Sequence, residues 1–261
     1  MKKFFLKMFS AAFLMAAVVS GAQAKPSEVD RIVKSGKIVI GVKDDVPKFG
    51  IFNKETNQYE GLEIDIAKAI AKKILGNDKH IEFVPVNAKN RGPFLKSDKI
   101  DLVLATFTVT EERKNYYEFS DVYYTDPVGI MVKKSSGITN FKDLEGKKIG
   151  VAQSSITSTV LKKAAIQEST FIVPVPYASY PILKAALDDG EVDAISVDRS
   201  ILLGYIDENL VILPQLYEEQ HYAVAIKKGN TKLLKIVNEV IRDLVKSGEL
   251  DKLLEKNKLA L

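Results

Sequence analysis

The stretch Thr106-Phe-Thr-Val-Thr-Glu-Glu-Arg113 gathers groups that could hold an anion. It follows Ile100 to Ala105, an apolar run that reads as a buried strand. It leads into Glu111 to Tyr116, whose composition favours a helix. Thr110 is a good N-cap, and Glu111 and Glu112 suit the positive end of the helix dipole. The strand therefore ends in two hydroxyls, Thr106 and Thr108, with the Arg113 guanidinium one helical turn beyond. Hydroxyls, free backbone N–H groups and a forked cation meeting at one spot make a site for a carboxylate. An ordinary strand–turn–helix with a solvated arginine reads the same way from this stretch alone.

Other charged residues stand at comparable places. Lys43 follows the apolar strand Lys37 to Val42, and Arg91 lies in the breaker-rich loop Asn87 to Pro93. Singly, each is compatible with a solvated surface cation. With Arg113 they put three cations at one sheet edge, which suits a ligand with more than one anionic group. Asp198 ends the strand Val192 to Val197 and could both cap the next helix and pair with an ammonium. Signatures of catalysis are missing from the sequence. His80 and His221 are far apart, and no HExxH, GxSxG, Walker-type or GxGxxG pattern follows a strand. Ser154 and Ser155 have no histidine base nearby in the chain, and the scattered acids offer no metal set, so neither a metal nor a cofactor is expected. Aromatic and basic residues do not repeat in the stacking pattern of a nucleic-acid binder.

These residues need a scaffold, and the chain alternates strands with helices. After Lys37–Val42, the apolar positions Leu62, Ile66, Ala69, Ile70 and Ile74 recur at helical spacing, with Lys68, Lys72 and Lys73 on the other side. Ile81–Val86 and the strand before Thr106 complete a first set. From Asp126 the pattern restarts: an apolar run Val128–Val132, a strand Lys147–Ala152, and a helix opened by Ser154-Ser155-Ile156-Thr157 and running to about Ile166. A strand Phe171–Val175, a helix Tyr180–Leu187, the strand before Asp198 and a helix toward Tyr205 follow. After Tyr222–Ile226, two amphipathic helical segments finish the chain. The alternation argues α/β architecture with largely parallel sheets, in which ligands sit outside the carboxyl ends of strands. Lys43, Arg91, Thr106, Ser155 and Asp198 all fall just beyond such ends. Splits near Asp126 and Tyr222 imply two lobes, residues 25–126 with 223–261 and residues 127–222, with a cleft between them.

Composition sets the compartment. Met1-Lys2-Lys3, the apolar Met8 to Val19 and Ala22-Gln23-Ala24 have the form of a cleaved export signal covering residues 1–24. Without its three lysines the 38 basic residues fall to 35 against 34 acidic, a net charge near +1 that gives no signal for nucleic acid. Zero cysteines exclude disulfides, thiol nucleophiles and a lipid anchor at the cleavage site. An exported, unanchored chain is expected to be periplasmic.

At this point the sequence resembles a family. Ala105 to Arg113, followed by Phe119-Ser-Asp-Val-Tyr-Tyr124, is similar to the signature of the substrate-binding proteins of polar amino-acid ABC transporters (family 3). Gly61-Leu-Glu-Ile-Asp65, Asp143-Leu-Glu-Gly-Lys147 and Val192 to Asp198 match in order. Gly41 to Pro47, Asn87 to Pro93 and Ser196 to Tyr205 look most like periplasmic aspartate/glutamate-binding proteins. The resemblance implies the two-lobed type II periplasmic binding protein-like fold with two crossover hinge strands. It also implies a monomer that delivers its ligand to an inner-membrane permease. Carried over by position, Arg113, Thr108 and the backbone at Thr106 would hold the ligand α-carboxylate, helped by the helix start Ser155 to Thr157. Asp198 would accept the α-ammonium, Lys43 and Arg91 would meet a side-chain carboxylate, and Tyr180 would line the cleft. Leu62, Val46 and Ile156 depart from the pattern, where relatives often have phenylalanine, phenylalanine and threonine.

Charge counting then favours an acidic amino acid, since each buried charge needs a partner. A neutral ligand such as glutamine, the nearest rival, is expected to leave Lys43 and Arg91 unpaired. An enzyme on the same fold, of the cyclohexadienyl dehydratase kind, would need a further cleft acid or base.

Overall fold

The computed structural model describes residues 27–260; the expected export signal lies outside them. The strands are β1 (Ile38–Val42), β2 (Asp45–Val46), β3 (Gly50–Asn53), β4 (Gln58–Glu60), β5 (Ile81–Pro85), β6 (Leu102–Leu104), β7 (Tyr117–Lys133), β8 (Lys148–Ala152), β9 (Val173–Tyr177), β10 (Ala194–Asp198), β11 (Leu210–Ile212) and β12 (Tyr217–Lys227). The helices are α1 (Glu28–Ser35), α2 (Leu62–Leu75), α3 (Arg91–Lys96), α4 (Glu111–Lys114), α5 (Thr157–Gln167), α6 (Tyr180–Asp188), α7 (Arg199–Tyr205), α8 (Thr231–Lys246) and α9 (Glu249–Lys256). Among the described residues no helix is long and apolar enough to cross a membrane.

One large sheet runs in the order β5-β1-β6-β12-β7-β10-β8-β9, with β11 paired to β7. The trio β5, β1 and β6 is parallel, and so is the trio β10, β8 and β9. Between them β12 and β7 run antiparallel to each other and to their outer neighbours. At 17 residues, β7 is long enough to serve both halves, since a strand rises about 3.3 Å per residue. Its first part pairs with the C-terminal part of β12, its last part with β10. These are the two extended crossovers of a two-lobed α/β fold.

The structure differs from these readings at four places. The pattern that restarts at Asp126 does so inside one strand: β7 is continuous from Tyr117, and Asp126 lies opposite Gln220 of β12. The run Val128–Val132 looked separate because only that part is buried at every residue. The loop Asn87–Pro93 becomes helical at Arg91, because glycine and proline sit in the first turn, where the missing proline N–H costs nothing. Crossed hydrogen bonds between Asn87 and Asn90 fold the approach to it. Residues 45–60 form a small antiparallel sheet, β2-β3-β4, that the sequence pattern did not show, and β9 starts at Val173 instead of Phe171.

Helix α2 buries Leu62, Ile66 and Ile70, as the spacing predicts, and exposes Lys68 and Lys72. Its start is fixed by Gly61 at φ 127, where any side chain would collide with the Phe49 carbonyl. The largest apolar cluster continues from Ile40 and Ile66 through Tyr124 and Tyr222 to Ile195 and Leu202, so the two halves share a core at the crossovers.

Candidate functional site

Strand ends of both lobes converge on a narrow cavity. About 330 Å³ of space lies between its atoms. Arg91, Thr106, Thr108, Arg113, Ser155, Thr157, Tyr180 and Asp198 all line it, with Ala88, Ala152, Ile156, Val197 and Gln220. Eight of the nine residues singled out in the sequence thus meet at one place, from β6, α3 and α4 on one side and α5, α6 and β10 on the other.

The first-lobe wall is built around Phe107. The Arg91 guanidinium lies 4.1 Å from the centre of its ring and that of Arg113 lies 4.7 Å from it. Arg91 Nη1 donates to the carbonyls of Ala105 (2.5 Å) and Thr106 (3.0 Å), and its Nε is buried without a partner. Arg113 Nη1 donates to the Thr108 carbonyl at 2.8 Å, and Nη2 reaches the Ser154 carbonyl of the opposite lobe at 3.4 Å. Thr110 caps α4 as its type predicts, accepting from the Arg113 N–H at 3.1 Å. Burial and then the neighbouring Arg91 charge lower the Arg113 pKa to about 9. Two like charges held this close favour an anion between them.

The second-lobe wall offers one carboxylate and a helix start. Asp198 sits at the N-cap of α7 but makes no capping bond with its side chain. Its Oδ2 instead accepts a short hydrogen bond from the Tyr222 hydroxyl of β12. Burial raises its pKa to about 6, although the Tyr222 bond and the two arginines act the other way. Helix α5 begins at Thr157 after Ile156, which cannot cap it. Ser155 accepts from the Thr157 N–H at 3.4 Å while donating to the Ala152 carbonyl at 2.8 Å.

Lys43 is the exception. It is buried outside the cavity lining, with Nζ 3.6 Å from Asp45 Oδ1 and 4.6 Å from the centre of the Tyr180 ring. Asp45 and the aromatic face hold the ammonium, so its expected direct place beside a ligand gives way to a position behind Tyr180. A neutral ligand would therefore not strand Lys43, whereas the Nε of Arg91 stays without a partner. Lys43 has Asp45, and the buried Glu63 carboxylate interacts with both cations. Sequence reasoning passed over Glu63, Phe107, Gln220 and Tyr222. Only Glu63 left a signal, as an acid beside Leu62 on the buried side of α2.

The profile of the bacterial extracellular solute-binding proteins, family 3, matches residues 38–259. The chain belongs to that family. It is 34% identical to the ABC transporter glutamine-binding protein GlnH of Bacillus subtilis, over 98% of this chain and 97% of that one. The cysteine-binding protein of Campylobacter jejuni superposes with a TM-score of 0.81 at 29% identity, covering 89% of this chain and 93% of the other. The ancestral amino-acid-binding protein AncCDT-1, a precursor of cyclohexadienyl dehydratase, gives 0.78 at 31% identity over 88% and 99%. The family part of the resemblance is thereby established, whereas the relatives' names point to glutamine and cysteine and not to acidic amino acids.

In this family member the lobes also touch beside the cavity. The Tyr180 N–H donates to Asp45 Oδ2 at 3.3 Å, the Tyr205 hydroxyl donates to the Asp45 carbonyl, and Gly204 packs against Pro47. Tyr205→Phe deletes one such bond away from the ligand. It is expected to speed release of every ligand by about 3–10-fold without changing their ranking, the worth of one ordinary hydrogen bond. Stopped-flow dissociation rates for two ligands check this.

Proposed function

We propose that this family 3 protein is the periplasmic receptor of an ABC transporter and captures an acidic amino acid, aspartate or glutamate, between its lobes. It then presents the closed form to a membrane permease. The observation that carries this reading is the charge facing the cavity: two guanidiniums, Arg91 and Arg113, against one carboxylate, Asp198. A ligand with two carboxylates and one ammonium complements that set. Arg113, Thr108 and the α5 start would take the α-carboxylate, Asp198 the α-ammonium, and the unpartnered Arg91 Nε the side-chain carboxylate. The proposed lobes, 25–126 with 223–261 and 127–222, part and close about β7 and β12. Binding to both walls favours the closed form over the open one. The protein acts as a monomer and carries no catalytic role. A dehydratase would need an acid free of the ammonium, and among the described residues Asp198 is the one carboxylate that lines the cavity.

Glutamine is a second reading with its own support. GlnH is named for it, Glu63 and Asp45 already offset two of the cations, and Gln220 presents a buried, unpartnered Oε1 that a ligand carboxamide N–H could reach. Calorimetric titration with aspartate, glutamate, asparagine and glutamine decides between them. Acids are expected to bind at micromolar concentration or tighter, which needs only about 8 kcal/mol. Arg91→Met is expected to weaken the acids at least about tenfold more than glutamine, the worth of one charge-assisted contact. Equal losses, or a wild-type preference for glutamine, overturn the acidic reading.

A further inference from the structure

We propose that Glu63 is a positioning residue that sets the ligand charge the cleft prefers, acting through Thr106 and Arg91. This rests on the reading of the cavity as an amino-acid site, but not on which amino acid fills it. Glu63 is fully buried in the first turn of α2 and does not line the cavity. Its Oε1 accepts from the Thr106 N–H at 2.5 Å and from the Tyr123 hydroxyl at 2.5 Å, and its Oε2 is buried with no partner. Thr106 is the cavity residue it grips, and Thr106 has φ 46, a left-handed conformation that a β-branched residue keeps only under external constraint. Arg91 Nη1 holds the carbonyl of the same residue. One residue of chain thus carries a carboxylate on its N–H and a guanidinium on its carbonyl.

This arrangement does two things. It pins the Thr106 turn from both ends, so the backbone and hydroxyl that face the ligand do not have to be ordered on binding. It also places a fixed negative charge behind Arg91, and behind Lys43, which reduces the pull that the cavity exerts on a second anionic group. A hydrophobic position would complete the α2 face more cheaply, since an unpaired buried carboxylate oxygen carries a desolvation cost. Burial raises the Glu63 pKa, while Tyr123, Thr106, Lys43 and Arg91 oppose that rise. The carboxylate at this place therefore tunes selectivity by charge and position together.

Glu63→Gln separates the two effects, because the amide oxygen keeps an acceptor for Thr106 and Tyr123 while the charge is lost and an NH2 takes the place of the unpartnered Oε2. The ratio of glutamate to glutamine affinity, measured by calorimetry at pH 8, is expected to move toward glutamate by about tenfold, the scale of one charge-assisted contact. Introducing Arg91→Met into the Glu63→Gln protein should reduce that shift. Tyr123→Phe is the second variant: it removes one donor and leaves the charge. Its ratio is expected to move toward glutamate at a higher pH than the wild-type ratio does, because a carboxylate that has lost a donor takes up its proton sooner. Titration of Asp198 affects both ligands alike through their shared ammonium and cancels in the ratio. Uniform losses for both ligands at every pH, in both variants, would reduce Glu63 to a structural residue and overturn the proposal. A wild-type preference for glutamine would refute the acidic reading alone and leave the ratio shift readable.

Discussion

Arg113→Met should all but abolish capture of any α-amino acid, with affinity falling by a hundredfold or more in calorimetry. The Arg113 guanidinium spans the lobes, reaching the Thr108 carbonyl on its own side and the Ser154 carbonyl on the other. Replacing it removes the bidentate partner proposed for the α-carboxylate and leaves that carboxylate buried beside α5 without its counter-charge. Breaking a buried pair in this way costs about 3–5 kcal/mol, or two to three orders of magnitude in affinity. The loss should be the same for acidic and neutral ligands, since all share the α-carboxylate. Arg91→Met, by contrast, should discriminate between them. Arg113→Lys should recover only part of the loss, because an ammonium cannot reproduce a fork that also holds the Thr108 carbonyl. The Phe107 ring and the Thr110 cap remain in these variants, so circular dichroism and thermal melting should stay close to wild type. Full affinity in Arg113→Met would place the α-carboxylate elsewhere.

The scaffold of this site was legible because it rests on local periodicity. Helix α2 and the short buried strands follow from the spacing of Ile, Val and Leu, and Thr110 followed by two glutamates marks the start of α4. Strand ends located Arg91, Thr106, Ser155 and Asp198, since a parallel sheet delivers its loops to one edge, while the motif supplied Thr108 and Arg113 and the family resemblance supplied Thr157 and Tyr180. The counter-charges were not legible. Asp45 reads as a turn residue beside Pro47, yet it holds Lys43 and the N-terminus of α6, 135 residues away. Glu63 reads as an ordinary first-turn acid, yet it meets Thr106 and Tyr123 across the core. Such pairs form only when distant segments converge, so charges counted along the chain overstated the free positive charge. The crossover β7 was missed for a related reason. Its first part mixes buried, half-buried and exposed residues, whereas Val128–Val132 is buried throughout, so one strand looked like two.

Asp198 gives the protein a pH dependence with a definite sign. Its folded-state pKa of about 6 lies above the ordinary carboxylate value because the group is buried, and Asp126 is pushed up to about 7 by burial and then by the charge of Asp198. A ligand ammonium stabilises the ionised Asp198, so its pKa in the complex lies below about 6. Between those two values the complex holds fewer protons than the free protein. Binding therefore releases a proton, and affinity rises with pH. Above about 7 the group is ionised in both states and the dependence disappears. Affinity for any α-amino acid is expected to be flat from pH 8 to 7 and then to fall toward about tenfold per unit below pH 6, since one proton must be displaced per ligand. The window stays above the ordinary carboxylate pKa of about 4, so titration of the ligand adds little. Asp198→Asn should weaken binding by about a hundredfold at pH 8, where the charge is lost outright, and by much less at pH 5. Calorimetry in two buffers of different ionisation enthalpy counts the released proton directly. A wild-type affinity that holds constant down to pH 4.5, with no proton released, would mean that the ammonium is bound by another group. Tyr222, whose hydroxyl already donates to Asp198, would then be serving only to hold β12 against the start of α7.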